Sequence, residues 1–394
     1  MSTWWLHPSL TVTNDQLYFD GHSLRELARQ HGTPLYVYSR ATIQRQLGLL
    51  QSALAELPVA SKIYYAMKSN RHPGVLAAVR QVPGVGIDAC SPREVSLALE
   101  HGFSAPEISF NAGMLSNRDL AFVAERGIHI TLDSFSALRR YGALVPRHTP
   151  VGLRFNPGIN VGYSPDTRFN YSNDKFGFEA AEVEQALQTA QSAGLVVDSV
   201  HMHVGWGVQA SMAGQVGQAF ERLAAVARQI PTLRAVNVGG GLGGQYQADD
   251  SPLSLAAWRE LLLRHLSPLG ATLLCEPGTF VSRPAGVLLV EVNTVEERRG
   301  VHWLGVDAGF AINPLPALYG IPLKIVPLHR PLAEPAQTYR VVGHINEVTD
   351  VWAAACPLPA VAEGDLLAFL PVGAYSASMG SDHCLRGQAK EIVI

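Results

Sequence analysis

From Thr33 to about Ser282 the chain alternates between two hydrophobic patterns. Short runs rich in β-branched and aromatic residues take turns with longer runs whose apolar positions recur at helical spacing. The short runs predict strands at Leu35–Tyr38, Lys62–Ala66, Val85–Asp88, Ile108–Phe110, Ile128–Leu132, Val151–Phe155, Val196–His203, Ala235–Val238 and Thr272–Glu276. The longer runs predict helices at Ala41–Leu57, Gly74–Val82, Pro92–His101, Ser116–Glu125, Ala180–Ala193, Gln215–Gln229 and Pro252–His265. Such alternation implies parallel strands joined by helical crossovers, and the count favours an eight-stranded (β/α) barrel over an open sheet. After Ser282 the helical period disappears. Val287–Val295, Trp303–Val306, Ile321–Val326, Tyr339–Val342 and Leu366–Leu370 read as strands separated by Pro and Gly. The first thirty residues hold a short apolar stretch (Leu10–Phe19), a turn at Asp20-Gly21 and a helical run, Ser23–Gln30. The expected fold is therefore α/β, with a barrel over 34–282 and a β-rich domain made of 283–394 together with 1–33.

Composition narrows the function. A chain of 394 residues with 47% hydrophobic and 16% charged residues has ample core material and argues against disorder. The net charge of −3, with no Lys/Arg run, leaves no electrostatic footprint for nucleic acid. Cys90, Cys275, Cys356 and Cys384 are scattered without a CxxC pair, so neither a metal site nor a disulfide framework is expected. Residues 1–10 lack a signal-peptide pattern and no apolar run is long enough to span a bilayer. The expectation is a cytoplasmic protein that acts on a small molecule, with no membrane partner.

Several polar residues fall at the C-terminal ends of barrel strands, the edge where barrel enzymes do chemistry. Lys68 follows an apolar strand and shares a face with Tyr64 and Ala66. Poor solvation there would lower the amine's pKa and favour attack on a carbonyl. The plain alternative is a lysine reaching out of the barrel rim. His201 and His203 alternate with apolar residues, which puts both on one face; such a pair could bind a metal, but no third ligand sits at a supportive spacing, and core histidines are the plain alternative. Val238-Gly-Gly-Gly-Leu-Gly-Gly244 follows a strand and suits either a phosphate-binding nest or a tight turn. Glu276 ends a strand and could hold a proton on a heterocyclic nitrogen or simply pair with an arginine. Asn346, Glu347 and Asp350, and the run Val372-Gly-Ala-Tyr375, complete the set; surface polarity is the alternative for each.

Taken in order, these motifs resemble the fold-type III pyridoxal 5'-phosphate (PLP) decarboxylases, the diaminopimelate, ornithine and arginine decarboxylases with an alanine-racemase-like barrel. The likeness is greatest to the diaminopimelate branch and runs from about Ser23 to Ile394. It implies PLP as cofactor and a homodimer with shared active sites. Lys68, in Ala66-Met-Lys-Ser-Asn, matches the Schiff-base lysine, and Asp88 an acid beside it. Arg154, in Leu153-Arg-Phe-Asn-Pro157, matches an active-site arginine, and His203 the histidine stacked on the pyridine ring. Gly240 and Gly241 match the phosphate loop. Glu276 and Gly278 match the Glu-x-Gly motif whose acid bonds the ring nitrogen, and Tyr375 matches a phosphate-contacting tyrosine. Asp174-Lys-Phe-Gly177 also resembles the family.

The departures from the family pattern bear on substrate and proton transfer. Asn346-Glu347 stands where the family has Cys-Glu, so the usual proton donor is missing; Cys384 is a weaker stand-in. Thr279 and Leu315 stand where diaminopimelate decarboxylases carry arginines, the latter in the run ending at Tyr319, and Trp206 replaces a serine. Leucine offers none of the charge-assisted pairing that arginine gives a carboxylate. These changes predict a substrate other than meso-diaminopimelate, read by Trp206, Thr279, Leu315, Tyr319, Glu347 and Tyr375. A modified amino acid of specialised-metabolite biosynthesis, such as that of a siderophore, is the analogy. The alternatives are a PLP-dependent racemase or epimerase and a non-catalytic PLP-binding regulator.

Overall fold

The computed structural model describes residues 3–164 and 175–394. Eight parallel strands close into a barrel: Ser61–Ala66, Val85–Ala89, Ile108–Asn111, His129–Leu132, Thr149–Arg154, Leu195–His201, Ala235–Asn237 and Thr272–Cys275. The ring shuts where Leu273, Leu274 and Cys275 pair with Ser61, Lys62 and Ile63. Nine strands were predicted for eight places, and Leu35–Tyr38 is the surplus one. It pairs antiparallel with Gly286–Leu289 and parallel with Lys390–Val393, outside the barrel. All four of its residues are buried, so its pattern carried no face preference from which to read its partner sheet.

Serines start most of the crossover helices. Ser39, Ser91, Ser116, Ser134 and Ser254 each accept a backbone N–H from the first turn of the helices Arg40–Ala55, Pro92–Glu100, Asn117–Glu125, Phe135–Gly142 and Leu255–His265. Each cap satisfies an otherwise orphaned donor where the chain turns from strand to helix. Phe135–Gly142 was not predicted. Its buried positions Ala137, Leu138 and Tyr141 do recur at helical spacing, so the pattern was present.

The second domain is a mixed sheet in the order Lys324–Pro327, Leu366–Leu370, Gly286–Arg298, Val301–Val306, Gln337–Val342, Val351–Leu358. Val351–Leu358, rich in alanine, escaped the sequence reading. The first thirty residues pack on this sheet: Leu10, Leu17, Phe19 and Leu24 share a buried cluster with Val287, Leu289, Val326 and Leu370. Residues 286–289 thus bridge the barrel's last crossover to the sheet, and the sheet's loops return over the barrel mouth.

Candidate active site

All eight barrel strands deliver a polar side chain at their C-terminal ends. Lys68 sits in the 3-10 turn Met67–Ser69 just past its strand, Asp88 and Asn111 within theirs, and Asp133 one residue beyond. Arg154, His201 and Asn237 are last residues of their strands, and Glu276 follows the final one. Above them opens a cavity of about 780 Å³, lined by Lys68, Arg154, His203, Gly240, Gly241, Glu276, Gly278 and Tyr375 among others. The parallel register makes this convergence automatic, because every strand finishes at the same rim.

Two charged centres stand at the ends of neighbouring strands of this rim. Lys68 Nζ lies 3.0 Å from Asp88 Oδ2 and 3.4 Å from Cys90 Sγ. Burial alone would lower the amine's pKa, as the sequence suggested. The carboxylate of Asp88, helped by Cys90, Tyr375 and Glu276, outweighs it, so the pKa is instead raised well above the ordinary lysine value. Burial and Glu276 together push the Asp88 carboxyl up to about 7 against the pull of Lys68. At the neighbouring strand end, Glu276 Oε2 lies 3.0 Å from His201 Nε2, and Asn237 Nδ2 donates to Glu276 Oε1 at 2.7 Å. Burial acts to raise Glu276, but His201, Lys68 and Asn237 win and bring it down to about 2. The His201 and Asn237 contacts thus favour the ionised form of the acid.

His203 behaves differently from His201, although the alternation placed them together. The strand ends at His201, which turns to Glu276. His203 lies beyond it, where its Nδ1 accepts from Gly240 N–H at 3.3 Å. Burial, with Arg154 and Lys68 adding to it, drops the His203 pKa to about 3, so the ring stays neutral. Glycines make the floor. A Cβ on Gly240 would meet the Glu276 carbonyl at 2.7 Å, and one on Gly278 would meet Tyr375 Oη at 2.9 Å. With no Cβ at either position the backbone closes tightly on Glu276 and Tyr375 while lining the cavity, and the Tyr375 N–H donates to Ser69 O at 2.7 Å. A primary amine lining a cavity, an ionised carboxylate at the end of the neighbouring strand and bare glycine backbone along one edge fit an aldehyde cofactor with a basic ring nitrogen and a phosphate.

The far wall is aromatic and apolar. Trp206, Thr279, Leu315 and Tyr319 line the cavity as the sequence expected, and Tyr246 and Ile321 join them. The Trp206 ring centroid lies 6.0 Å from that of Tyr319 and 6.5 Å from that of Tyr246. Asn346 and Glu347 do not reach this chain's cavity; both are exposed, and Glu347 lies 3.5 Å from His383. Cys384 is also exposed and away from the cavity. The thiol actually at the site is Cys90, which burial pushes up to about 12. Asp174 lies outside the described residues. The sequence reading missed Asn237, Cys90, Tyr246 and Arg283. Asn237 and Cys90 carry a local signal, since the first closes a strand and the second directly follows one; Tyr246 and Arg283 depend on loop paths that no local pattern encodes.

Comparison with known proteins agrees with this geometry. Residues 40–283 match the family model for the pyridoxal-binding domain of pyridoxal-dependent decarboxylases. The chain is 31% identical over 403 residues to a diaminopimelate decarboxylase of Methanothermobacter thermautotrophicus, covering 99% of this chain and 93% of the relative. It is 32% identical to one of Pseudomonas fluorescens, covering 96% and 92%. Among solved structures, a diaminopimelate decarboxylase from Helicobacter pylori complexed with L-lysine superimposes with a TM-score of 0.85 at 25% identity, covering 94% of this chain and 93% of that one.

Proposed function

The chain belongs to the pyridoxal-dependent decarboxylases, close to the diaminopimelate branch, and from that premise we propose that Lys68 and Glu276 hold the cofactor's two reactive ends while the aromatic wall selects the substrate. The protein is a PLP-dependent carboxy-lyase. The observation that carries the assignment of roles is that Lys68 and Glu276, at the ends of neighbouring strands, line one cavity together with Gly240, Gly241 and Gly278.

Bound there, PLP supplies the electron sink for the pair released when the Cα–carboxylate bond breaks. The residues of the chain do the rest. Lys68 supplies the amine, with Asp88 at 3.0 Å as its proton partner. Glu276, held ionised by His201 and Asn237, favours a protonated ring nitrogen, since an opposite charge stabilises the cation. His203, neutral and wedged by Gly240, offers a flat apolar face to hold a ring plane. N–H groups of Gly241 and Gly278, with Tyr375, would supply donors for a phosphate, while the Gly240 N–H is taken by His203 Nδ1. Arg154, its guanidinium 4.3 Å over the Phe176 ring, adds a fixed positive charge to the cavity.

The substrate is an amino acid or amino-acid derivative other than meso-diaminopimelate. Support comes from Thr279 and Leu315, which face the cavity where the resemblance expects arginines, and from Trp206 in place of a serine. A derivatised amino acid of specialised metabolism suits such a wall. In a cytoplasmic homodimer the exposed Asn346-Glu347 segment of each chain would complete the other chain's cavity. Among the described residues no helix is long and apolar enough to cross a membrane.

The test is a substrate panel assayed for CO₂ and for inversion at Cα, with borohydride trapping of the cofactor on the protein. CO₂ release without turnover of meso-diaminopimelate, and an adduct at Lys68, are expected. Efficient turnover of meso-diaminopimelate would remove the substrate assignment, and inversion without CO₂ release would make the protein a racemase. Cofactor binding with neither reaction would make it a regulator.

A further inference from the structure

Arg283 is a full positive charge buried without a hydrogen-bond partner for two of its nitrogens. It begins the 3-10 turn that follows the short helix Thr279–Ser282, and it lies one helical turn beyond Thr279. The residue is 2% exposed, and it contributes to the lining of the cavity. Its guanidinium stacks 4.1 Å over the Tyr246 ring. Nε and Nη2 have no partner among the described residues. These are the two nitrogens that share one edge of the guanidinium fork, the edge that grips an oxyanion with two parallel hydrogen bonds.

The nearby carboxylate does not neutralise it. Asp250 is already engaged by Tyr163 Oη at 3.1 and 3.0 Å and by the N–H groups of Tyr246 and Gln247 at 2.7 and 3.0 Å. Among the described residues no ion pair joins Asp250 to Arg283. A stack on tyrosine offsets only part of the cost of burying a guanidinium. An uncompensated buried charge beside an active-site cavity is a strain that a bound anion would relieve.

We propose that Arg283 is the oxyanion-binding residue of this cavity, gripping a phosphate or carboxylate through its Nε–H and Nη2–H edge against the Tyr246–Trp206 wall. The proposal rests on reading the cavity as the active site. The edge has no exposed surface in the chain alone, so capture turns the guanidinium on the Tyr246 face toward the cavity. The anion is either the cofactor's phosphate or an acidic group on the substrate's far end. In the second case it would replace, from a different backbone position, the cations lost at Thr279 and Leu315.

The experiment compares the wild-type protein with Arg283→Met and Arg283→Lys in two arms. The first titrates apoprotein with pyridoxal phosphate and with pyridoxal and follows the visible absorbance. The second titrates holoenzyme with 2-aminoadipate and with norleucine, which differ in a terminal carboxylate, and follows the same band. Arg283→Met is expected to weaken the anionic member of one pair by about tenfold or more and to leave its neutral member unchanged, with Arg283→Lys between. Selective loss in the first arm assigns the phosphate, and in the second the substrate's acid. The melting temperature of the Met variant's apoprotein should be no lower than wild type, because a buried unpaired charge has been removed. Equal losses for both members of each pair, or no loss at all, would overturn the proposal. If wild-type protein took up no pyridoxal phosphate, the active-site reading itself would fail first, separately from Arg283.

Discussion

The barrel rim and the aromatic wall enclose the same cavity but are built on opposite principles. At the rim, Glu276 is matched to His201 and Asn237, and Lys68 to Asp88, at 2.7 to 3.0 Å. Charges there are set in advance and held by strands that cannot move independently. The wall is made of Trp206, Leu315, Tyr319 and Ile321, carried by loops and the short helix Leu315–Tyr319. It offers area and shape, with little fixed polarity. The contrast teaches that the rim commits the protein to a chemistry, while the wall can be rewritten to change the molecule on which that chemistry acts.

If that division is right, damage to the rim should destroy activity for every substrate, while changes to the wall should redistribute it. The largest effect is expected from Lys68→Ala: no borohydride-trapped cofactor and decarboxylation at background, read by mass spectrometry and CO₂ release. Glu276→Gln keeps the shape and removes the charge. It should lower kcat by about 10²–10³-fold, the size found when one preorganised electrostatic group is lost, and do so equally across substrates. A substrate-dependent loss would blur the boundary between rim and wall.

The double change Thr279→Arg with Leu315→Arg tests the wall. It should raise kcat/KM for meso-diaminopimelate by about 10–100-fold, the worth of one charge-assisted hydrogen bond of roughly 1.5–3 kcal/mol. Crowding at the buried Leu315 should cost about 1–3 kcal/mol of stability. No gain for meso-diaminopimelate at preserved folding would show that the wall does not read the substrate's far end.

Smaller effects follow from titration at the rim. Asp88→Asn removes the largest upward influence on Lys68, so burial should prevail and the amine should lose its proton at lower pH. Cofactor capture should then proceed at lower pH than in wild type, measured as the pH profile of the absorbance rise. His203 falls from 6.5 to about 3 on folding and Glu276 from 4.5 to about 2. In both cases the unfolded chain binds the proton more readily. Stability from these groups is therefore present above about pH 6.5 and is lost as pH falls, first through His203 and then through Glu276. The slope contributed by each is at most about 1.4 kcal/mol per pH unit. His203→Asn should flatten the upper part of the curve in acid denaturation followed by circular dichroism.

Much of the rim was legible because the local code is strong there. Apolar strands ending in one polar residue, followed by serine-capped helices, announce a barrel, and Lys68, Asp88, Arg154 and Glu276 sit where that code says chemistry should be. Local pattern fails where a second residue decides the outcome. Burial was expected to lower Lys68, but its pKa is set by Asp88, twenty positions along the chain and 3.0 Å away. The two histidines share an alternation but not a partner, since the strand ends between them.

The sequence by itself determined the barrel, the β-rich sheet, the cofactor chemistry and which polar residues end the barrel strands at Lys68, Asp88, Arg154 and Glu276, because the strands of a parallel barrel bring their C-terminal ends to one rim. Only the tertiary structure decided that Leu35–Tyr38 belongs to the outer sheet, that Cys384 stands exposed outside the cavity lining, and that Arg283 lines the cavity with one edge unpaired. Those outcomes depend on which loop folds over which strand end, and hydrophobic periodicity, which records only inside and outside, carries no information about that.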